Sequence, residues 1–250
     1  MSDPFLLGVL GGMGPLATLD FQRHLLEATP AAGDQQHLPS VVWNVPQIPD
    51  RQQALAGTGP SPLAHLLRAV EKLNQAGASH IAIPCNTAHH WYDALSAAST
   101  APVLHIVDAT MAALAREEDV PRRVGIIATR GTLEAGWYQQ RLAARGIESV
   151  EPTPRELADW FVPGCYAVKR GAVGEGGELL ARQARALLAR GAQQLVLACT
   201  EVPVALAAIK VPFLARTFDP ARALAQQCAR LWRASQDLPP VNTGHNTTVN

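Results

Sequence analysis

The chain has 250 residues, 48% of them apolar, and sets 21 basic against 21 acidic side chains. This is enough to bury a sizeable core as one large or two small domains. With no net charge and no Lys/Arg run, it lacks the field that would draw it to a phosphate backbone or an anionic bilayer, so no nucleic acid and no membrane is expected among its partners.

The opening MSDPFLLGVLGGMG has neither a basic start nor an apolar run long enough for a secretory leader. The apolar stretch nearest the C-terminal end is broken by Glu201 and Lys210, which lipid would not accept. A cytoplasmic protein is therefore expected, and its four cysteines, at 85, 165, 199 and 228, are expected as free thiols.

Leu6 to Leu10 reads as a buried strand closed by the GGMG turn, followed by a helix from Pro15 to Leu26 with Leu16, Leu19, Phe21, Leu25 and Leu26 at helical spacing. SVVWNV, from Ser40 to Val45, is a second strand that runs into the loop PQIPDRQQ. Leu63 to Leu73 is an amphipathic helix with Leu66, Leu67, Val70 and Leu73 on one face. The glycine of QAGASH ends it before a strand from Ile81 to Ile83, and VLHIVD then repeats the strand theme. Strands that are apolar throughout and alternate with helices predict an α/β protein whose parallel sheet is covered on both faces.

The second half restarts this pattern. GVLGGMGPLATLDFQRHL from Gly8 lies without a gap on GIIATRGTLEAGWYQQRL from Gly125, and GASHIAIPCNT from Gly77 lies on GAQQLVLACTE from Gly191. The two segments agree on an internal duplication of about 115 residues, too long a period for a solenoid. The expectation is two similar subdomains related by a pseudo-twofold axis, each a short parallel sheet flanked by helices. They are placed at residues 1–108 plus 215–236 and at 109–214, with a mobile polar tail at 237–250. Ligands collect outside the carboxyl ends of parallel strands, so Cys85 and Cys199 are expected to face each other across a cleft between the subdomains.

A thiol titrates near enough to neutrality to serve as base or acid. Two of them on opposite sides of one carbon, one ionised and one protonated, can remove a proton from one face and return one to the other, which inverts a stereocentre without a cofactor. A single cysteine at a strand end is most simply a core residue; the matched positions in the repeat favour the pair. Cys165 and Cys228 have no such match and read as structural. A metal site at Cys85, His89 and His90 lacks the usual ligand spacing, so no metal is expected. A Cys85–His89 hydrolase leaves Cys199 unexplained. GGMG is not a dinucleotide fingerprint; it is either a tight turn or a place where backbone N–H groups approach a small anion.

Taken in order, GVLGGMGP, PCNTAHH, ATRGT and ACTEVP resemble the aspartate/glutamate racemase superfamily, and among its branches aspartate racemase. The resemblance spans about Leu7 to Trp232 and implies a cofactor-independent amino-acid racemase that forms a homodimer and acts on aspartate or glutamate. It implies catalytic roles for Cys85 on the D substrate and Cys199 on the L substrate. It also implies substrate contacts from Asn86 and Thr87 to the α-carboxylate, polar lining by Thr129, Thr132 and Thr200, and a place over the pocket for Met13. Glu201 is implied to orient the second thiol or the substrate ammonium, and Arg51 and Lys169 to hold the side-chain carboxylate; the part of His89 is not fixed. Alanine precedes the second Cys-Thr where glycine is frequent, which bears on substrate more than on reaction. Related isomerases, such as maleate isomerase or hydantoin racemase, and a non-catalytic amino-acid-binding protein remain the alternatives.

Overall fold

The computed structural model describes residues 5–117 and 119–236, so the tail expected at 237–250 lies outside the described residues. The first half runs β1 (Leu7–Gly11), α1 (Pro15–Ala28), β2 (Ser40–Asn44), α2 (Arg51–Leu55), α3 (Leu63–Gln75), β3 (His80–Ala82), α4 (Tyr92–Ala98), β4 (Val103–Leu104) and α5 (Ile106–Leu114). The second runs β5 (Arg123–Ala128), α6 (Arg130–Ala135), α7 (Trp137–Ala143), β6 (Glu148–Val150), α8 (Pro154–Glu156), α9 (Val162–Lys169), α10 (Val173–Ala189), β7 (Gln194–Ala198), α11 (Glu201–Ala208), β8 (Thr217–Phe218) and α12 (Pro220–Ser235). Each half forms a parallel sheet of four strands, ordered β2-β1-β3-β4 and β6-β5-β7-β8. Adding four to every strand number converts one order into the other, so the topology carries the repeat seen in the sequence.

The inner strands β1, β3, β5 and β7 are buried, apart from the first residue of the last three, because both faces of each sheet are covered there, whereas the edge strands β2, β6 and β8 carry polar residues and stay partly exposed. Leu7, Val9 and Ala82 of the first sheet and Val124, Ile126, Val196 and Ala198 of the second enter one shared core, together with α5 and α12 residues such as Val107, Leu224 and Cys228. On the opposite faces, Leu10, Ile81 and Ile83 pack beneath α3 residues such as Leu66 and Leu73. Ile127, Leu195 and Leu197 pack beneath α10 residues such as Leu180 and Leu187. Glycine is required at matched points of the repeat: a Cβ on Gly8 would lie 2.9 Å from the Cβ of Ala78, and one on Gly125 3.2 Å from that of Ala192.

Two expectations are redrawn. Of VLHIVD only Val103 and Leu104 are strand; the His105 Nδ1 accepts the Val107 N–H at 3.3 Å and caps α5 from Ile106 onward. In α1 the buried face is Ala17, Thr18, Phe21, His24, Leu25 and Ala28, whereas Leu16, Leu19 and Leu26 face outward. Within residues 215–236, the two-residue β8 pairs with β7 of the second sheet, and α12 packs on α1 and α5.

Candidate active site

The carboxyl ends of both sheets open on one small cavity, where ligands of parallel sheets collect. The first half lines it with Met13, Asp50, Arg51, Gln52, Cys85, Asn86 and Thr87, and the second with Thr129, Lys169, Cys199, Thr200 and Glu201. Cys85 follows β3 and Cys199 follows β7, the equivalent strands of the two sheets. Of the site residues expected from sequence, only Thr132 is not in this lining. It sits behind it, its backbone N–H donating to the Thr129 hydroxyl that caps α6, and its hydroxyl 3.5 Å from that of Thr87.

The turn GGMG is explained by packing. Gly12 has φ +95°, and a Cβ there would lie 2.4 Å from the Val45 carbonyl carbon. Its N–H is donated to the Thr18 hydroxyl at 2.9 Å, which leaves Met13 as the turn's contribution to the cavity.

The surroundings of the two thiols differ. Burial pushes Cys85 above the ordinary thiol value, and the Arg51 guanidinium and the Ala88 N–H offset only part of that. Cys199 is pushed well above the ordinary thiol value by the neighbouring Cys165 thiol, by burial and by Glu201. Its Sγ donates to Glu201 Oε2 at 3.0 Å and lies 3.7 Å from the Cys165 sulfur. Cys165 is fully buried; reading it as merely structural missed this neighbour, because nothing in VPGCYAV announces a contact with a strand end 34 residues later.

Two cationic side chains reach the cavity. Arg51 opens α2 and donates through NH1 to the carbonyls of Ile48 and Pro49 at 3.1 and 3.0 Å. Lys169, at the end of α9, lies 3.4 Å from Asp50 Oδ2, which also accepts the Tyr166 hydroxyl at 3.2 Å. Burial opposes the Lys169 charge, but Glu201, the nearby thiols and Asp50 outweigh it and raise its pKa. Asp50 was not singled out in the sequence, although IPDR is the signature of a helix cap: its Oδ1 accepts the N–H groups of Gln52 and Gln53.

Two further residues act from behind. Tyr138, fully buried, donates its hydroxyl to Asn86 Oδ1 at 2.7 Å and so turns the amide nitrogen into the free end. His89 accepts the Ile106 N–H at Nε2, 3.2 Å, which leaves Nδ1 to donate to the Cys85 carbonyl at 2.9 Å. Burial lowers its pKa and keeps it neutral, so His89 fixes the loop that carries Cys85.

Three buried polar atoms of cavity-lining residues have no hydrogen-bond partner: Arg51 Nε, Asn86 Nδ2 and Glu201 Oε1. Such orphans cost about 1–3 kcal/mol each. Two donors and one anionic acceptor match the needs of an amino-acid zwitterion, whose carboxylate accepts and whose ammonium donates.

Residues 10–228 match the family described as Asp/Glu/Hydantoin racemase. The aspartate racemase of Picrophilus torridus superposes with a TM-score of 0.79 at 27% identity, covering 91% of this chain and 94% of that one. A glutamate racemase of Francisella tularensis in complex with D-glutamate shares the fold, with a TM-score of 0.65 at 17% identity over 97% of this chain and 86% of that one. A broad-specificity amino-acid racemase of Bacillus subtilis is 26% identical over 58% of this chain, and the match spans 63% of that relative's length. With two matched parallel sheets, a cysteine after the third strand of each and a family match over nearly its whole length, the chain belongs to the Asp/Glu/hydantoin racemase family.

Proposed function

We propose that the protein is a cofactor-independent amino-acid racemase that inverts the α-carbon by proton transfer between Cys85 and Cys199, with aspartate as first substrate and glutamate second. The observation that carries this reading is that two thiols from equivalent strand ends of the two sheets line one cavity. Their unequal surroundings suit opposite tasks. Arg51 favours the thiolate at Cys85, and Glu201 holds a proton on Cys199, so Cys85 starts as base and Cys199 as acid, and turnover exchanges them. Asn86, Thr87 and Thr200 supply donors for the α-carboxylate, and the free Glu201 oxygen takes the ammonium. Fixed donors around the carboxylate stabilise the carbanion-like transition state without having to reorganise. Arg51 and Lys169 receive the side-chain carboxylate. The reading includes a cytoplasmic homodimer. The chain has no helix long and apolar enough to cross a membrane among the described residues, and the outward Leu16, Leu19 and Leu26 of α1 are apolar surface for a second copy.

Broader specificity is favoured by one contact: Lys169 already has a carboxylate partner in Asp50, so a substrate without a side-chain charge would not leave it unpaired. Related isomerisation and simple amino-acid binding are the other outcomes to be separated. L-Aspartate, L-glutamate and a panel of neutral amino acids should be incubated in deuterated water without added cofactor and analysed on a chiral column. D-Aspartate carrying deuterium at Cα is expected, and Cys85→Ser or Cys199→Ser should each abolish racemisation while leaving at most one-sided exchange. Near-normal racemisation by either variant would overturn the scheme. Arg51→Ala and Lys169→Ala should weaken aspartate far more than alanine, and an equal loss for both substrates would show that these cations do not read the side chain.

A further inference from the structure

We propose that Cys165, Cys199 and Glu201 form a binding site for a soft divalent metal ion of the zinc type, through which such an ion shuts down the chemistry of Cys199. The consequence for turnover rests on the racemase reading above; the site itself does not.

Among the described residues these three offer ligand atoms that all lie within 4.8 Å of one another, and all three are buried. The two sulfurs are 3.7 Å apart. This is far beyond a disulfide bond of about 2.05 Å, yet it matches the spacing of about 3.8 Å between two thiolates at opposite corners of a tetrahedron with metal–sulfur bonds of about 2.3 Å. Glu201 Oε2 is 3.0 Å from the Cys199 sulfur, about 0.5 Å short of the sulfur–oxygen edge of such a tetrahedron, and within 4.8 Å of the Cys165 sulfur. Its other oxygen, Oε1, is buried without a partner, in a residue that is 6% exposed and lines the cavity. Two thiolates and one carboxylate form a donor set that prefers zinc over magnesium or calcium. Cys199 and Glu201 line the cavity, which leaves room beside them for a fourth ligand such as water.

The charges balance. Binding releases the two thiol protons to solvent and converts the cluster to two thiolates and a carboxylate, three negative charges against two on the ion. The remaining negative charge is met by the Lys169 ammonium, whose raised pKa reflects Glu201, Cys165 and Cys199 nearby. No oxidation or reduction is involved. The ion displaces the proton of Cys199 to solvent and occupies its lone pair, so Cys199 can then neither give nor receive the substrate proton.

Cobalt(II) is the probe, because it occupies zinc sites and reports thiolate ligation by a charge-transfer band. Titration of the full chain should give one equivalent bound, with that band and the visible bands of a tetrahedral ion, and zinc should displace it. Cys165→Ser and Cys165→Ala should abolish the band. Zinc inhibition of each variant, measured against its own metal-free rate, should weaken by at least about tenfold, the low end of what even an outer-sphere partner is worth to a metal site. Cys228→Ala, far from the cluster, should change neither. A wild-type protein without the charge-transfer band, or zinc inhibition of undiminished strength in the Cys165 variants, would overturn the proposal. Full cobalt and zinc binding by a protein that racemises nothing would leave the site standing and remove the function instead.

Discussion

Asp50 and Lys169 come from different subdomains and meet at the cavity, Oδ2 to Nζ at 3.4 Å, while the other Asp50 oxygen caps the helix that begins with Arg51. One carboxylate thus sets the position of both cations. Burial pushes its pKa up, and Lys169, the Gln53 N–H and Arg51 more than reverse that, leaving it lowered. Asn caps a helix about as well as Asp, so Asp50→Asn should retain most of the stability but free Lys169. The ratio of KM for aspartate to KM for alanine is expected to fall severalfold in steady-state assays, and an unchanged ratio would count against Asp50 as the competitor of the substrate carboxylate. Asp50→Ala should additionally lose about 1 kcal/mol in urea unfolding through the missing cap.

Tyr138 is a positioning residue for Asn86. Without its hydroxyl, Tyr138→Phe leaves the buried Asn86 Oδ1 unpaired and lets the amide turn over, at a cost of about 1–3 kcal/mol in stability. We expect kcat/KM to fall by roughly tenfold, mostly in KM, by analogy with other lost hydrogen bonds. The decisive measurement is a double-mutant cycle: Tyr138→Phe combined with Asn86→Ala should lose no more activity than Asn86→Ala alone. Fully additive losses would assign Tyr138 a separate role.

The difference between the two thiols is open to direct labelling. Burial raises Cys85, with Arg51 opposing it, whereas Cys165, burial and Glu201 all push Cys199 upward. The thiolate is the reactive form, so limited iodoacetamide treatment followed by peptide mapping should find Cys85 modified first. Arg51→Gln should slow that labelling without speeding the labelling of Cys199. Cys228, pushed up to about 12 by burial in α12, should be modified last. Labelling of Cys199 ahead of Cys85 would reverse the assignment of base and acid.

His24 joins α1 to the start of α12. Its Nε2 lies 2.9 Å from Asp219 and 3.2 Å from Asp20, and its Nδ1 3.3 Å from Glu27. Burial disfavours the imidazolium, but the hydrogen bonds and charges of Asp20 and Asp219 prevail and raise its pKa from 6.5 to about 9. The stabilisation, on the order of 3 kcal/mol at most, is complete below pH 6.5 and is lost as pH rises through 9. Asp20, lowered to about 2, gives up its part only as pH falls from 3.8 toward 2. Urea midpoints should therefore decline between pH 6 and pH 10 in the wild type and much less in His24→Gln. An equal decline in both would move the alkaline loss to other groups.

Much of this was legible in the sequence because it depends on local rules. Apolar runs marked β1, β2, β3 and β7, the repeat gave the matched strand ends, and Cys85 and Cys199 stood out by that match. What stayed hidden depends on distant packing. Asp50 reads as a helix cap until Lys169 is seen beside it, and Cys165 reads as core until Cys199 is found at 3.7 Å. Tyr138 enters the alignment of the repeat only as an aromatic, since its bond to Asn86 crosses between halves. The face of α1 was misread because leucine at helical spacing does not tell inward from outward; Ala17, Thr18 and His24 mark the inner side.

The shared core makes the two halves depend on each other. Leu7 and Val9 from one sheet and Val124 and Ile126 from the other are covered by a single layer that both halves build. Either half taken alone would expose that face to water, so neither sheet is expected to be stable without the other or a copy that replaces it. Because both copies of the repeat lie in one chain, Cys85 and Cys199 can sit at equivalent strand ends and still have different neighbours, as the Cys165 contact of Cys199 shows.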